Sequence, residues 1–461
     1  MKKIIGLMLC FILIFSIIGC GSGTEVINET DNENKDTEFK DMNEARFIFG
    51  TIRTNEYFED EGYSSAGDKM RKRYKETAEK FNCTLDVIKL ENDACAPIIM
   101  QAVAVMTDVP DFIDCNSDAA YTLYKEGVLF AYDDMTTLDI NDSRWGPASF
   151  RANGIFNDKS YGVFNYDWEF IPQVKGILLI NNPLLKIHGM TDPYELQEKN
   201  AWNWDNFKAE LVKGTFDDSE NTYIGMTCED INKVAFVSAL SNGARVVSEV
   251  DGKKVFSFDS PEAIQGFDYA ASLMKEKLIK ASPGNLADFT GGSLESDGTA
   301  SYAFCNSWMG TIHIAGTEYL PSFLMNEYGF INFPNGPAAS ENNCASYIGN
   351  ERLLWCIEPG DNETDDKGMI MNYVFSPLDD SEKEGWKKLS DVTFHHTQDY
   401  KNFLNMVENS SYNYDTQLGT DIATRLNTAL GQILTTAKTP AAVMESISEV
   451  INTQLKTEYG E

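Results

Sequence analysis

Aromatic and acidic side chains alternate in one short stretch of the chain. Within residues 165–169, Tyr166 and Trp168 are interleaved with Asp167 and Glu169. Flat aromatic faces and planar polar groups together can hold a small polar molecule in a fixed orientation. The stretch is therefore a candidate ligand-binding segment, and a solvated loop explains it equally well.

Residue patterns that would catalyse a reaction or hold a metal are weak. The sequence contains no G-x-S-x-G, HExxH or P-loop motif. The pair His395-His396 has no nearby cysteine or spaced acidic partner, which argues against a metal site. Residues 361–366 have the composition of a calcium loop, but the glycine at its sixth place is missing, and Asn372 replaces the glutamate at its twelfth. These absences predict a protein that binds and is not an enzyme, without a cofactor.

The net charge and the spacing of the cysteines argue against further classes of function. The formal net charge is −33 and there is no basic stripe with interleaved aromatics, which argues against nucleic-acid binding. Beyond Cys10 and Cys20, seven scattered cysteines form no C-x-x-C pair, so we expect most of them to be small, buried apolar residues.

Alternating strands and helices would position the polar candidates of the first half. Strands are predicted at 45–50, 85–90 and 110–114, and helices at 69–81 and 96–106, an order typical of a parallel sheet covered by helices. Arg53 follows the first strand, and Asn116 and Asp118 follow the third. Ligands bind at the carboxyl edge of such sheets, so these three residues are candidate ligand contacts.

The same alternation restarts in the second half. Strands are predicted at 175–180, 299–305 and 329–333, and helices at 204–213, 233–240, 261–277, 421–435 and 440–456. A folded part from residue 44 onward is too long for one ordinary core, which predicts two lobes.

The amino terminus has the three-part layout of a secretory signal: Lys2 and Lys3, an apolar run over 4–18, and Cys20. Residues 16–20 resemble the lipobox of bacterial lipoproteins. That resemblance implies removal of residues 1–19, lipidation of Cys20, and anchoring to the cell membrane on its extracellular side. Residues 20–43 are almost without apolar side chains and are predicted to be a disordered tether. An ordinary secretory signal or a membrane anchor is the alternative.

Six short segments of the chain, taken in order, resemble the sequence motifs of one protein family. In the first segment, Asp108 stands where the motif usually has glycine. Directly after the third segment, Phe164 stands where the motif usually has proline. The matching segments are residues 108–113, 124–134, 160–163, 178–185, 204–207 and 289–308. In this order they resemble the extracellular solute-binding proteins of carbohydrate ABC importers (family 1), the group that includes the maltodextrin-binding proteins.

This resemblance implies an α/β fold of the two-lobed type II periplasmic-binding-protein kind, in which lobes joined by crossing segments close on a ligand. By segment order, the N-lobe would hold residues 44–162 with a return at 345–378. The C-lobe would hold 163–344 with the C-terminal helices in 379–461. It also implies a monomer that binds a carbohydrate and delivers it to the transmembrane subunits of an ABC permease.

The resemblance also suggests which side chains line the cleft. Trp308 matches the family's cleft tryptophan, although a buried core tryptophan is the alternative. The segment 165–169 would follow the lobe crossing. Cys115 stands where the family often has an aromatic residue, and residues 412–414 hold no tryptophan, which weakens those two positions. Further contacts would come from Glu229, Asp230, Asn232, Tyr412 and Tyr414.

Two other functions stay open at this stage. The same scaffold can bind a non-sugar solute, such as a peptide, an amine or a phosphate ester. A surface glycan-active or adhesive lipoprotein of another fold is the third hypothesis.

Overall fold

The structure is a computed structural model, and all the elements given below lie in Asp41–Glu461. It describes residues 39–52, 61–63, 65–91, 94–164, 172–219, 222–282, 289, 302–308, 328–341, 343–349, 352–376, 394, 396–412 and 420–459.

The strands of this part of the chain, in chain order, are β1 (Ala45–Thr51), β2 (Cys83–Lys89), β3 (Phe112–Asn116), β4 (Leu129–Phe130), β5 (Ile155–Phe156), β6 (Lys159–Ser160), β7 (Gly162–Val163), β8 (Lys175–Asn181), β9 (Phe216–Asp217), β10 (Thr222–Cys228), β11 (Val247–Val250), β12 (Lys253–Phe256), β13 (Ile279–Ala281), β14 (Tyr302–Trp308), β15 (Tyr328–Asn332), β16 (Tyr347–Ile348), β17 (Arg352–Ile357) and β18 (Ser411–Tyr412).

The helices are α1 (Ser65–Phe81), α2 (Cys95–Val105), α3 (Ser117–Lys125), α4 (Ala148–Arg151), α5 (Asn182–Ile187), α6 (Pro193–Glu198), α7 (Trp204–Lys213), α8 (Ile231–Ser241), α9 (Pro261–Lys275), α10 (Thr364–Val374), α11 (Thr397–Asn409), α12 (Thr420–Thr435) and α13 (Pro440–Tyr459).

Each helix and strand that the local pattern predicted corresponds to one of these elements. The helix expected at 204–213 has those bounds, and it begins at Trp204 because the Asn203 side chain accepts a hydrogen bond from the Asn206 N–H at 3.1 Å and so caps its start. The third strand continues to Asn116 because Arg352 of β17 pairs with it. Strand β14 continues to Trp308 because β8 pairs with it back to Lys175. Both extensions depend on a partner strand that is distant in sequence.

The first lobe is built on a mixed sheet with the order β2-β1-β3-β17-β4, with β7 paired to β17. Strands β1, β2 and β3 are parallel, as predicted, and β17 is antiparallel to β3. Alternate residues of β3 point to opposite faces. Phe112 packs in a core with α1 and α10, whereas Ile113 and Cys115 pack with α2 and α3. Helices therefore cover both faces of the sheet.

The second lobe is built on a larger mixed sheet with the order β13-β10-β14-β8-β16-β18, with β15 paired to β8 and β9 paired to β10. Strands β10, β13 and β14 are parallel, and β8 is antiparallel to β14. Leu178 and Ile180 face a core shared with α7, α8, α9, α12 and α13, whereas Ile177 and Leu179 face the side that α11 covers. This lobe is also a helix–sheet–helix sandwich.

The chain passes from the first sheet to the second after β7, which pairs with β17, and the next strand, β8, pairs with β14. It returns after β16, which pairs with β8, and the next strand, β17, pairs with β3. The predicted lobe limits stay predictions.

Helices α12 and α13 pack on the second lobe, against α8, α9 and β12. Across the described residues, each helix is too short or too polar to span a bilayer.

Candidate functional site

The first edge of the candidate site is formed by the carboxyl ends of β1 and β3. Thr51 lies beside Asp114 in the parallel register. The buried Asp114 carboxylate accepts hydrogen bonds from the Thr51 hydroxyl at 2.6 Å and the Ile52 N–H at 3.0 Å. This carboxylate therefore fixes the two strand ends against each other. The predicted contact Arg53 follows directly and lies outside the described residues.

Two of the predicted contacts lie at the start of α3 on the same edge. Asn116 is half-buried and precedes the helix, and its side chain makes no capping hydrogen bond. Asp118 is exposed in the first turn, where it accepts a hydrogen bond from the Ala119 N–H at 2.7 Å. Ser117, which the sequence pattern did not single out, is 1 % exposed, and its hydroxyl has no hydrogen-bond partner among the described residues. An unpaired buried hydroxyl in that position is a signal that only the structure supplies.

The second edge is formed by the carboxyl ends of β10, β13 and β14. In the parallel registers, Cys228 lies beside Ala281 and beside Asn306. The predicted contacts Glu229, Asp230 and Asn232 follow β10 directly.

All three of those side chains have partners within the second lobe. Asp230 caps α8 by accepting a hydrogen bond from the Asn232 N–H at 2.9 Å. Glu229 forms an ion pair with Lys233 at 2.7 Å, and the Asn232 side chain donates to the Asn427 side-chain oxygen at 2.9 Å. Each residue thus has a structural role, and its ligand role stays a prediction.

Trp308 lies at the end of β14 on this second edge. It pairs with Lys175, the first residue of β8, after a register shift between Ser307 and Trp308. Lys175 also pairs with Tyr347, whose neighbour Ile348 pairs with Tyr412. The backbones of Trp308 and Tyr412 therefore belong to one row of strand ends.

For Trp308 and Tyr412 the structure describes the backbone but not the side chain. The other predicted contacts of this region lie wholly outside the described residues: Tyr166, Asp167, Trp168, Glu169 and Tyr414.

The crossing segments hold these two edges close together. Only Gly349, Asn350 and Glu351 separate β16 from β17. A link of that length spans roughly 14 Å at most. The Lys175 ammonium also donates a hydrogen bond to the Gly349 carbonyl at 2.5 Å, which ties the start of β8 to the crossing.

Close packing against the Trp355 ring explains why the 160–163 motif has a glycine at position 162. A Cβ on Gly162 would lie 2.5 Å from the Trp355 ring, whose N–H donates to the Cys115 carbonyl at 2.9 Å. Glycine therefore lets β7 approach β17 closely at the point where the chain leaves the first lobe.

The acidic turn at 361–366 and His396 lie beside helices of the described structure. In the described part of the chain, no group of three His, Cys, Asp or Glu side chains comes together as a metal site. The acidic turn leads into α10, and its Asn362 side chain donates to the Asp111 carboxylate at 3.0 Å. His396 precedes α11 at an exposed position, as expected for a helix-flanking histidine. His395 lies outside the described residues.

Known sequence families and curated proteins provide no match to the chain. Solved structures do. The cyclic alpha-maltosyl-1,6-maltose binding protein from Arthrobacter globiformis superposes with a TM-score of 0.67 at 12 % identity, covering 90 % of this chain and 100 % of its own. The GacH receptor of Streptomyces glaucescens, solved with acarbose, has a TM-score of 0.62 at 14 % identity over 90 % and 99 % of the two chains. UgpB from Mycobacterium tuberculosis, in complex with glycerophosphocholine, has a TM-score of 0.54 at 16 % identity over 90 % and 98 %.

These similarities establish the fold. The chain is a two-lobed α/β protein of the periplasmic-binding-protein type, the architecture used by solute-binding proteins.

Proposed function

We propose that the chain is an extracellular receptor that captures a sugar or oligosaccharide and delivers it to an ABC importer. One observation carries the proposal. The carboxyl edges of two separate sheets, each with polar residues at its strand ends, are joined by a three-residue crossing that keeps Ile348 and Arg352 within roughly 14 Å of each other. Ligands of open α/β sheets bind at such edges, and a gap between lobes is a common location for them.

The mechanism rests on contacts that exist only when the lobes are closed. A solute that touches Asn116 and Ser117 on one edge and the row around Trp308 on the other stabilises the closed state by its additional contacts there. The closed form is then the species that the permease subunits recognise. No bond is made or broken, so the protein is a carrier and not an enzyme.

The choice of a sugar is supported by the sequence and by the compared structures. The segment 165–169 has the aromatic and carboxylate composition that suits sugar rings. Two of the compared proteins are named for, or solved with, a glycan or a glycan-like inhibitor. The complex of UgpB with glycerophosphocholine favours a second candidate on the same scaffold, a phosphate diester.

A ligand panel tests the proposal and separates the two ligand classes. The melting temperature of the chain would be measured with neutral malto-oligosaccharides, cyclic glucans, monosaccharides and glycerophosphodiesters. A solute at 100 times its Kd stabilises the folded state by about 2.7 kcal/mol, which a thermal shift resolves. A shift with a neutral glycan supports the sugar; a shift with phosphodiesters alone overturns it.

Small-angle scattering then tests lobe closure. The radius of gyration should fall when the stabilising solute is added. A receptor mechanism is wrong if the solute binds without compaction, because an adhesive protein needs no closure. Ile187→Ala, at an exposed position of the second lobe, serves as a control whose response should match the parent chain.

The membrane anchor forms a separate part of the proposal. Residues 1–19 would be removed, Cys20 would carry the lipid, and residues 20–43 would tether a monomeric receptor to the extracellular face of the cell membrane. Cys20→Ser should abolish incorporation of a labelled fatty acid and release the protein from the membrane fraction. Labelling that persists in this variant would exclude Cys20 as the lipidation site.

A further inference from the structure

Two buried thiols meet at the carboxyl edge of the first sheet. Cys95 is the first residue of α2, and Cys115 is the next-to-last residue of β3. Both side chains are 0 % exposed and belong to one buried cluster, in which the two thiols lie within hydrogen-bonding reach of each other. Cys228 and Cys305 also lie on adjacent strands, but the register sets Thr227 beside Cys305. Cys228 and Cys305 also belong to two different buried clusters, whereas Cys95 and Cys115 belong to the same one.

Local structure explains why these two cysteines come together. After β2, the Leu90 N–H donates to the Thr51 carbonyl at 2.7 Å, and the Ala94 N–H donates to the Glu91 carbonyl at 3.0 Å. Leu90 therefore lies beside the end of β1, and α2 begins five residues later in the chain. Because side chains alternate along β3, Cys115 shares the α2 side of the sheet with Ile113.

We propose that Cys95 and Cys115 form an intramolecular disulfide when the protein meets a small-molecule disulfide such as oxidised glutathione. One cysteine thiolate attacks a sulfur of the small disulfide and releases one small thiolate. The second cysteine thiolate attacks the mixed disulfide at the protein sulfur and releases the other. The two cysteine protons end on the two released thiols, and the two electrons reduce the small disulfide.

Burial determines when this exchange takes place. The thiolate is the attacking species, and burial raises the pKa of the Cys115 thiol well above its usual range. Exchange in the native protein therefore proceeds through local opening, whereas it is rapid during refolding. Once formed, the bond is shielded from solvent thiols and joins the start of α2 to the end of β3, directly before Asn116 and Ser117.

Mass mapping of the full chain tests the proposal directly. No lysine or arginine lies between Lys89 and Lys125, so one tryptic peptide, residues 90–125, contains both cysteines. The protein would be refolded with oxidised glutathione, denatured, alkylated with iodoacetamide and digested. The peptide should lack two hydrogen atoms and carry no alkyl group, and reduction before alkylation should restore two alkyl groups. Two alkylated cysteines, or glutathione adducts, in the oxidised sample would overturn the proposal.

Melting temperatures supply a second readout with matched variants. The oxidised parent chain should melt about 5 °C or more above the reduced chain, because the bond restricts the unfolded state. Cys115→Ala should lose this redox-dependent shift, and Cys228→Ala, at another buried cysteine, should retain it. A shift of equal size in Cys115→Ala would show that another cysteine pair is responsible and would refute the assignment.

Discussion

A buried ion pair supports the first lobe at the edge opposite the candidate site. The Lys367 side chain is 0 % exposed, and its ammonium donates to the Ile357 carbonyl at 2.8 Å and lies 3.5 Å from the Asp111 carboxylate. Asp111 also accepts hydrogen bonds from the Ile48 N–H at 2.8 Å and the Asn362 side chain at 3.0 Å. The pair thus connects α10 with the start of β3 and the end of β17.

Lys367→Met tests how much this pair contributes to stability. Methionine fills most of the lysine volume, so loss of packing is minor. The substitution removes the ammonium that faces the buried carboxylate and leaves the Ile357 carbonyl without that donor. Asp111 keeps its hydrogen bonds from Ile48 and Asn362. Breaking a buried pair from one side costs about 3–5 kcal/mol, and we expect a loss of free energy of unfolding in that range.

Urea unfolding followed by tryptophan fluorescence measures the loss. Trp145 and Trp355 are both buried in the first lobe and report on it. Lys72→Met is the matched control, because the ion pair of Lys72 with Glu76 is long, at 3.9 Å, and exposed. If Lys367→Met loses no more stability than Lys72→Met, the pair is not important for stability and the reasoning fails.

The pH dependence of the same variant gives an independent check. Burial raises the pKa of Asp111 above its ordinary value of 3.8, against the opposing effects of Asn362, Lys367 and Ile48. A carboxyl with a raised folded pKa favours folding while it is protonated, and that contribution is lost as pH rises from 3.8 through the folded pKa. Removing the ammonium raises the pKa further. The stability gap between variant and parent should therefore shrink as pH is lowered towards about 4, and a gap that widens would contradict this.

Three further substitutions have distinct expected outcomes. Trp308→Ala should weaken ligand binding by more than about tenfold, measured by titration calorimetry with the solute found in the panel, and should leave the melting temperature nearly unchanged. An unchanged affinity would remove Trp308 from the site. Gly162→Ala should destabilise the protein by about 1–3 kcal/mol because its Cβ meets the Trp355 ring, and a neutral urea midpoint would show that the crossing can shift. Tyr194→Phe removes the hydroxyl that donates to the Asp399 carboxylate, so a loss of about 1–3 kcal/mol is expected in the same urea assay; no loss would mean that water replaces it.

The sequence predicted the elements whose signals are local. Helix α9 was expected from the Ser260-Pro261 start, and the Ser260 hydroxyl does accept a hydrogen bond from the Ala263 N–H at 3.3 Å. Strand β1 was expected from a short apolar run closed by glycine, and the cysteines were expected to be buried apolar residues. Six of the seven described cysteines are buried, and Cys83 is half-buried.

The positions of the candidate residues in the fold were predictable where they follow a predicted strand, and their roles as ligand contacts stay predictions. Asn116 and Asp118 lie at the edge expected for them because the carboxyl end of a parallel strand is defined by the strand itself. Ser117 was missed because a serine next to a strand end has no distinctive pattern. Its value as a candidate depends on burial without a hydrogen-bond partner among the described residues.

By itself, the sequence determined the α/β class, the order of the longer helices and strands with clear apolar periodicity, and the acidic character of the chain with its scattered cysteines. Apolar periodicity and helix caps act over a few residues and can be identified without knowing the fold. Only the tertiary structure decided that β17 inserts antiparallel beside β3, that Cys95 and Cys115 share one buried cluster, and that the two carboxyl edges are joined by a short crossing. These contacts join segments far apart in the chain, and their free energy comes from packing that no local pattern encodes.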